Sequence, residues 1–375
     1  MASISNPFII TGYQGSKFFC DREQETNTLM SNLVNGQSTT LIAIRRIGKT
    51  GLIRHVLAQL PADYTDIYLD ILPTENLKEF LNALTTAIFS GIPERSKPGK
   101  KILDFIKSLR PVVSFDPLTG LPQLALDTRP GEAERHIQSV LEFLESYPQK
   151  VIIAIDEFQQ ILYYPEKNTD ALLRSIIQSL NNVRFIFSGS QQHLMTQLFT
   201  DPSRPFYQSA GFLKIEKIKP EAYTSFIRHH FENAGITISL ETIDAMLNWA
   251  DHHTYYVQLL CNRVFASAQR KMGDEFWKTQ AAQLLQEQEI VFFKYRDLLT
   301  KHQWNLLKAI AHEGTVYYPT SKDFIAKHEL GSPATVLRSL HALTEKEMIY
   351  SDYSTEGKLF YSVYDVLFRR WMQAK

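Results

Sequence analysis

The chain has 375 residues, 44% of them apolar and 21% charged, which excludes a disordered or fibrous chain and leaves room for two or three domains. Forty basic side chains offset forty acidic ones, so net charge gives no argument for tight nonspecific binding to nucleic acid. Two distant cysteines, Cys20 and Cys261, form no metal or disulfide pattern. With no leader-like N-terminus and no long apolar run, a cytoplasmic protein without a membrane contact is expected.

In chain order, Phe18-Phe-Cys-Asp-Arg22-Glu23-Gln-Glu25 reads as a helix start, with Asp21 as cap and acids in the first turn. Thr40 to Ile44 is an apolar strand that runs into a tight loop ending Gly48-Lys49-Thr50, and an amphipathic helix follows at once. That is the strand–loop–helix context of a phosphate-binding P-loop. Successive backbone N–H groups from Arg46, Ile47, Gly48, Lys49, Thr50 and Gly51, with the positive end of the helix, converge where the β-phosphate of a nucleotide would sit. Lys49 would reach the β- and γ-phosphates, and the Thr50 hydroxyl would ligate Mg²⁺. The pattern departs at one place: Ala43 stands where the first glycine is usual, so the loop must begin with negative φ or a slightly different path.

Asp66–Asp70 reads as a second strand, Asn76–Ile92 as an amphipathic helix and Pro93–Lys101 as a loop. Pro111–Leu126 reads as two short strands around a Pro117-Leu-Thr-Gly120 turn, and Glu132–Ser146 as a helix. Val151-Ile-Ile-Ala-Ile155 then reads as a strand buried on both faces of a parallel sheet, ending in Asp156-Glu157. Acids at the carboxyl end of such a strand lie where ligands bind in open α/β sheets. Asp156 would hold the Mg²⁺ shell and Glu157 would polarise the attacking water. Asp170–Asn181 is a further helix and Asn182–Ser190 a further strand with a polar tip. Repeated β–α units imply a parallel sheet covered by helices.

After Glu216 the pattern turns helical: Pro220–Glu232, Leu240–Ala250 and Tyr255–Lys271, broken near Gly235 and Asp251–Thr254. His229, His230, His252 and His253 lack the spaced partners of a metal site. Phe276–Asp297 is a linking helix rich in Gln and Glu. Helices at Lys301–His312, Ser321–Lys327 and Ser332–Lys346, with strands at Tyr350–Tyr353 and Lys358–Tyr364, resemble a winged helix. Residues 301–375 hold ten Lys or Arg against eight Asp or Glu, too few basic groups for strong phosphate contact with DNA.

These segments together resemble the AAA+-like archaeal and bacterial P-loop ATPases related to the STAND class. The likeness rests on Phe18–Glu25, the Arg45-Arg46-Ile-Gly-Lys-Thr loop, Ile155–Gln159, Phe187–Ser190, Pro205-Phe-Tyr207, His252–Gln258 and Tyr364–Trp371, and it covers nearly the whole chain. It implies an α/β P-loop NTPase fold, an AAA+-like three-layer parallel sheet, with residues 1–215 as ATPase core, 216–275 as helical lid and 276–375 as linking helix and winged helix. It also implies that Phe19 and Arg22 lie beside the adenine, and that Ser188 or Ser190 is the polar sensor between Glu157 and the γ-phosphate. ATP or ADP with Mg²⁺ is the ligand that the resemblance implies, and no guanine-reading motif appears. A slow ATP-driven switch acting on a protein partner is the leading expectation. The alternatives are a DNA-binding regulator and a non-hydrolysing scaffold. Gln208-Ser209 and His252-His253-Thr254 replace the Gly-Arg and Gly-x-Pro of relatives, which bears on hydrolysis and lid closure; Arg204 is the nearest arginine to the first change.

Overall fold

The computed structural model describes residues 6–92, 97–108, 111–115, 122–126, 131–267 and 275–374. The chain divides into two compact units, Arg22–Glu216 and Met1–Asp21 with Lys217–Lys375. Residues 6–21 therefore go with the C-terminal helices and not with the P-loop.

The Arg22–Glu216 unit is built on five parallel strands: β1 (Thr39–Ile42), β2 (Tyr64–Asp70), β5 (Lys150–Asp156), β6 (Val183–Ser188) and β7 (Gly211–Lys214). Their spatial order is β2-β5-β6-β1-β7. The helices are α1 (Glu23–Val34), α2 (Lys49–Leu57), α3 (Leu77–Gly91), α4 (Lys97–Ser108), α5 (Glu132–Glu145), α6 (Thr169–Gln178) and α7 (Gln192–Thr200). Strand alternation explains the layers. Val151, Ile153 and Ile155 of β5 join one apolar cluster with α3, α5, α6 and α7, while Ile152 and Ala154, equally buried, point to the opposite face. There α1 packs on β1 and β7, and α2 on β6. A strand with helices on both faces must be apolar throughout, as 151–155 is.

The inserted hairpin forms as read: β3 (Pro111–Phe115) pairs antiparallel with β4 (Pro122–Leu126). It is held to α3 by the Leu124 and Leu126 amides, which donate to Thr86 Oγ1 (3.0 Å) and Asn82 Oδ1 (2.9 Å). Its Pro117–Gly120 turn lies outside the described residues. Part of the 93–101 stretch is helical: α4 begins at Lys97. Asn76 caps α3 by accepting from the Glu79 amide at 3.0 Å.

The other unit holds α8 (Pro220–Asn233), α9 (Leu240–Trp249), α10 (Thr254–Ser267), α11 (Phe276–Asp297), α12 (Lys301–Glu313), α13 (Lys322–His328) and α14 (Pro333–Glu345). β8 (Ile349–Tyr353) and β9 (Leu359–Val363) form the antiparallel wing, and α15 (Val366–Gln373) closes the chain. Ser332 caps α14 with Pro333 at its first position. Asp365 caps α15 through the Leu367 and Phe368 amides (2.9 and 3.1 Å) and accepts from Tyr256 Oη at 3.2 Å. Phe8 is buried among Phe226, Phe231 and Phe265. Asn262 Nδ2 donates to the Phe8 carbonyl at 2.7 Å, and Asn6 Nδ2 donates to the Asn262 carbonyl at 2.9 Å.

Candidate nucleotide site

The carboxyl ends of β1, β5 and β6 place three sets of polar groups in one unit. The first is the P-loop. Gly48 caps α2 with φ 104° and no side chain caps that helix end, so its first turn presents backbone donors. The left-handed geometry at Gly48 costs any side chain strain, which is why the glycine of Gly-Lys-Thr is required. Arg46 also takes positive φ, 60°, whereas Ala43 does not. The loop therefore turns at Arg46, and the absent first glycine is not needed. Lys49 is buried, 6% exposed, with Nζ 3.3 Å from the Ile44 carbonyl and 3.5 Å from that of Ala43.

Arg22 braces this loop from below. It is 4% exposed, pairs with Glu25 at 2.6 Å, and its Nη2 donates to the Ile47 carbonyl at 3.4 Å. Arg22, not Asp21, stands at the N-cap of α1, with φ 78° and no side-chain cap bond. The reading of Asp21 as cap is corrected: Asp21 itself is left-handed, φ 56°, and that backbone turn swings its carboxylate out of the N-cap position. Phe19 belongs to the other unit, where it packs edge-on against Tyr13.

The second set is the acidic strand end. Asp156, 4% exposed, accepts from Thr50 Oγ1 at 2.6 Å and Tyr68 Oη at 3.0 Å on one oxygen, Oδ2, while Oδ1 accepts the Glu157 amide at 3.1 Å. Tyr68 lies on β2, two residues before Asp70, which is in register with Asp156. The Arg54 guanidinium lies over the Tyr68 ring at 3.5 Å. Burial, then the Asp156 charge and hydrogen bond, push the Tyr68 phenol well above its usual range, so it is a neutral donor at all physiological pH. Asp70 is also raised, by desolvation and by the neighbouring Asp156 and Glu157 charges, against the lowering bond from the Leu72 amide.

The third set surrounds Glu157, whose φ of 59° turns it sharply off the strand. Its Oε2 accepts from Ser190 Oγ (2.7 Å), the Ser190 amide (3.0 Å) and Gln159 Nε2 (2.6 Å). Gln159 is 2% exposed and its Oε1 is buried without a partner, as is Ser188 Oγ. Ser188 is in register with Leu41 at the foot of the P-loop. The Ser188 hydroxyl, which can donate, with a buried lysine and a helix start lacking a side-chain cap, suits a phosphate-bearing ligand. The hydroxyl and carboxylate of Thr50 and Asp156 are the oxygen donors that Mg²⁺ prefers.

Thus the P-loop, Arg22, Asp156, Glu157 and Ser190 are brought together within one unit. Sequence reasoning missed Tyr68 and Gln159, although the Gln159 position, two beyond Glu157, was visible. Arg204 ion-pairs with Asp170 at 3.6 Å. His253 is buried against Tyr256, and His230 among Phe8, Phe18 and Phe226. Among the described residues no three metal-ligating side chains cluster, and no helix is long and apolar enough to cross a membrane.

Residues 19–260 match the family described as an ATPase domain predominantly from Archaea. The chain belongs to that ATPase family. Residues 290–374 match the family described as "Probable winged helix domain", so this member of the ATPase family carries a C-terminal winged helix after its P-loop unit. Among solved structures, a Walker-type ATPase of Pyrococcus abyssi superposes with TM-score 0.67 at 19% identity, over 98% of this chain and 99% of that one. The Aeropyrum pernix ORC2 protein in ADPNP–ADP complexes gives 0.60 at 13% identity, over 99% and 98%. The Aeropyrum pernix ORC1 protein in complex with DNA gives 0.50 at 14%, over 95% and 93%. At these identities the likeness is one of fold. No curated protein matches the chain.

Proposed function

We propose that this ATPase is a Mg-ATP-dependent switch with slow hydrolysis, of the STAND type, acting in the cytoplasm on a protein partner. The observation that carries the reading is the 2.6 Å bond from Thr50, at the start of α2, to Asp156, at the end of β5, which brings together the two oxygen donors that a P-loop metal site would use. Backbone amides of Arg46, Ile47, Gly48, Lys49, Thr50 and Gly51 would cradle the phosphates, and Lys49 would carry charge to the β- and γ-phosphates. Thr50 and Asp156 would hold Mg²⁺, which supplies charge neutralisation at the phosphates. Glu157 would orient and deprotonate the attacking water, and Ser190 would report the γ-phosphate through its bond to Glu157. Arg22 would fix the loop beside the nucleotide. Three donors on one oxygen of Glu157 hold that acid away from free rotation, which fits slow turnover.

Calorimetry of Mg-ATP with wild type and Lys49→Ala, followed by phosphate release from the same samples and from Glu157→Gln, tests the proposal. Wild-type affinity weaker than millimolar would end it. Binding without release above the Glu157→Gln background would leave a nucleotide-gated scaffold.

A second reading, a DNA-binding regulator, is favoured by the likeness to a solved ORC1 protein in complex with DNA and by Arg338 and His341, which α14 exposes. It predicts a salt-sensitive shift of duplex DNA, lost on Arg338→Glu.

A further inference from the structure

The hydrogen-bonding capacity of Asp156 is nearly filled by the protein itself. An ionised carboxylate offers about four lone-pair sites. Thr50 and Tyr68 occupy both sites on Oδ2, and the Glu157 amide occupies one on Oδ1. One site on Oδ1 is left. Tyr68 is in turn held from its far side, where Arg54 lies 3.5 Å from the ring centroid. Arg54 is one helical turn beyond Thr50 on α2, and residues four apart share a helix face. The P-loop helix therefore reaches Asp156 directly through Thr50 and indirectly through Arg54 and Tyr68.

We infer that Tyr68 is a positioning residue that fixes which oxygen of Asp156 faces the metal, by occupying the other, with Arg54 clamping its ring. This rests on the Mg-nucleotide reading of the site. The chemistry is that of an outer partner orienting a ligand carboxylate. Removing such partners weakens metal affinity by about 10–100-fold. A side chain that only filled space would give no such effect when its hydroxyl alone is deleted.

Tyr68→Phe keeps the ring and its stack on Arg54 and deletes only the hydrogen bond. Mn²⁺, a paramagnetic substitute for Mg²⁺, would be titrated into the ADP complex and the free ion followed by electron paramagnetic resonance. Metal-free ADP affinity would be measured alongside by calorimetry. The expected result is about tenfold weaker Mn²⁺ binding in Tyr68→Phe, with metal-free ADP affinity and the thermal midpoint unchanged. Arg54→Met should move Mn²⁺ affinity in the same direction by a smaller factor. Unchanged Mn²⁺ affinity in Tyr68→Phe, with tight binding in wild type, overturns this inference alone. Absence of metal and nucleotide binding in wild type overturns it together with the proposed function.

Discussion

A Cβ placed on Gly189 would stand 2.0 Å from Gln159 Oε1 and 2.7 Å from Met195 Cγ, so the buried amide of Gln159 occupies the space a side chain at 189 would need. The same amide donates to Glu157 at 2.6 Å. Packing at the tip of β6 and the posture of the acidic residue are thus one arrangement.

Gly189→Ala should therefore do two things at once. Overpacking here costs about 1–3 kcal/mol, visible as a lower thermal midpoint, and displaced Gln159 should alter phosphate release. Gln159→Leu separates the effects: turnover changes while nucleotide affinity by calorimetry does not. A stable, fully active Gly189→Ala protein would mean that Gln159 has no such hold on Glu157.

Lys49→Ala should weaken Mg-ATP binding about 10–100-fold, the equivalent of losing one charged hydrogen bond of about 1.5–3 kcal/mol. Glu157→Gln should bind with wild-type affinity while phosphate release falls about 10²–10⁴-fold. Both follow from titration calorimetry and a phosphate-release assay on matched samples.

The C-terminal unit carries a carboxylate with a different task. Burial would raise Asp251, but Lys217 at 2.8 Å and Arg369 at 3.2 Å outweigh it and hold the carboxyl below its usual range. A depressed native value means the pairing stabilises the fold at neutral pH, and that stabilisation is lost as pH falls through the usual carboxylate range towards the native value. Thermal midpoints measured from neutral pH down to about pH 3, below the ordinary aspartate value, should fall in wild type. In Asp251→Asn the midpoint should start lower, by about 2 kcal/mol in stability, and decline less steeply.

Asp365→Ala removes both acceptor bonds at the start of α15 and the one that Tyr256 Oη donates to Asp365. A cap of this kind contributes about 0.5–2 kcal/mol. Chemical denaturation should show a loss in that range, while Asp365→Asn, which keeps a capping oxygen, should recover most of it.

The P-loop and the Asp156-Glu157 strand were legible because both depend on local features: an apolar run needs no partner to be recognised, and a glycine at φ 104° is set by the chain itself. The long helices followed from periodicity, and the linking helix Phe276–Asp297 was bounded at both ends. What escaped was short or depended on register. β7, four residues of alternating exposure at the sheet edge, lacks a continuous apolar run. α15 has its buried positions at 366–369, 371 and 372 and a capping Asp365, yet follows the wing so closely that it merges with it. Tyr68 meets Asp156 only because β2 and β5 pair with Asp70 opposite Asp156, and one sequence carries no record of register.

The split of the chain also orders events during synthesis. The P-loop unit is contiguous, Arg22–Glu216, and a ribosome can finish it before any of α8 exists. Phe8 must wait for its partners, since Phe226, Phe231 and Phe265 arrive more than 200 residues later. At about 5–20 residues per second that delay is on the order of 10–40 s. Phe8 thus spends that time without its pocket, which is complete only once Phe265 has been made.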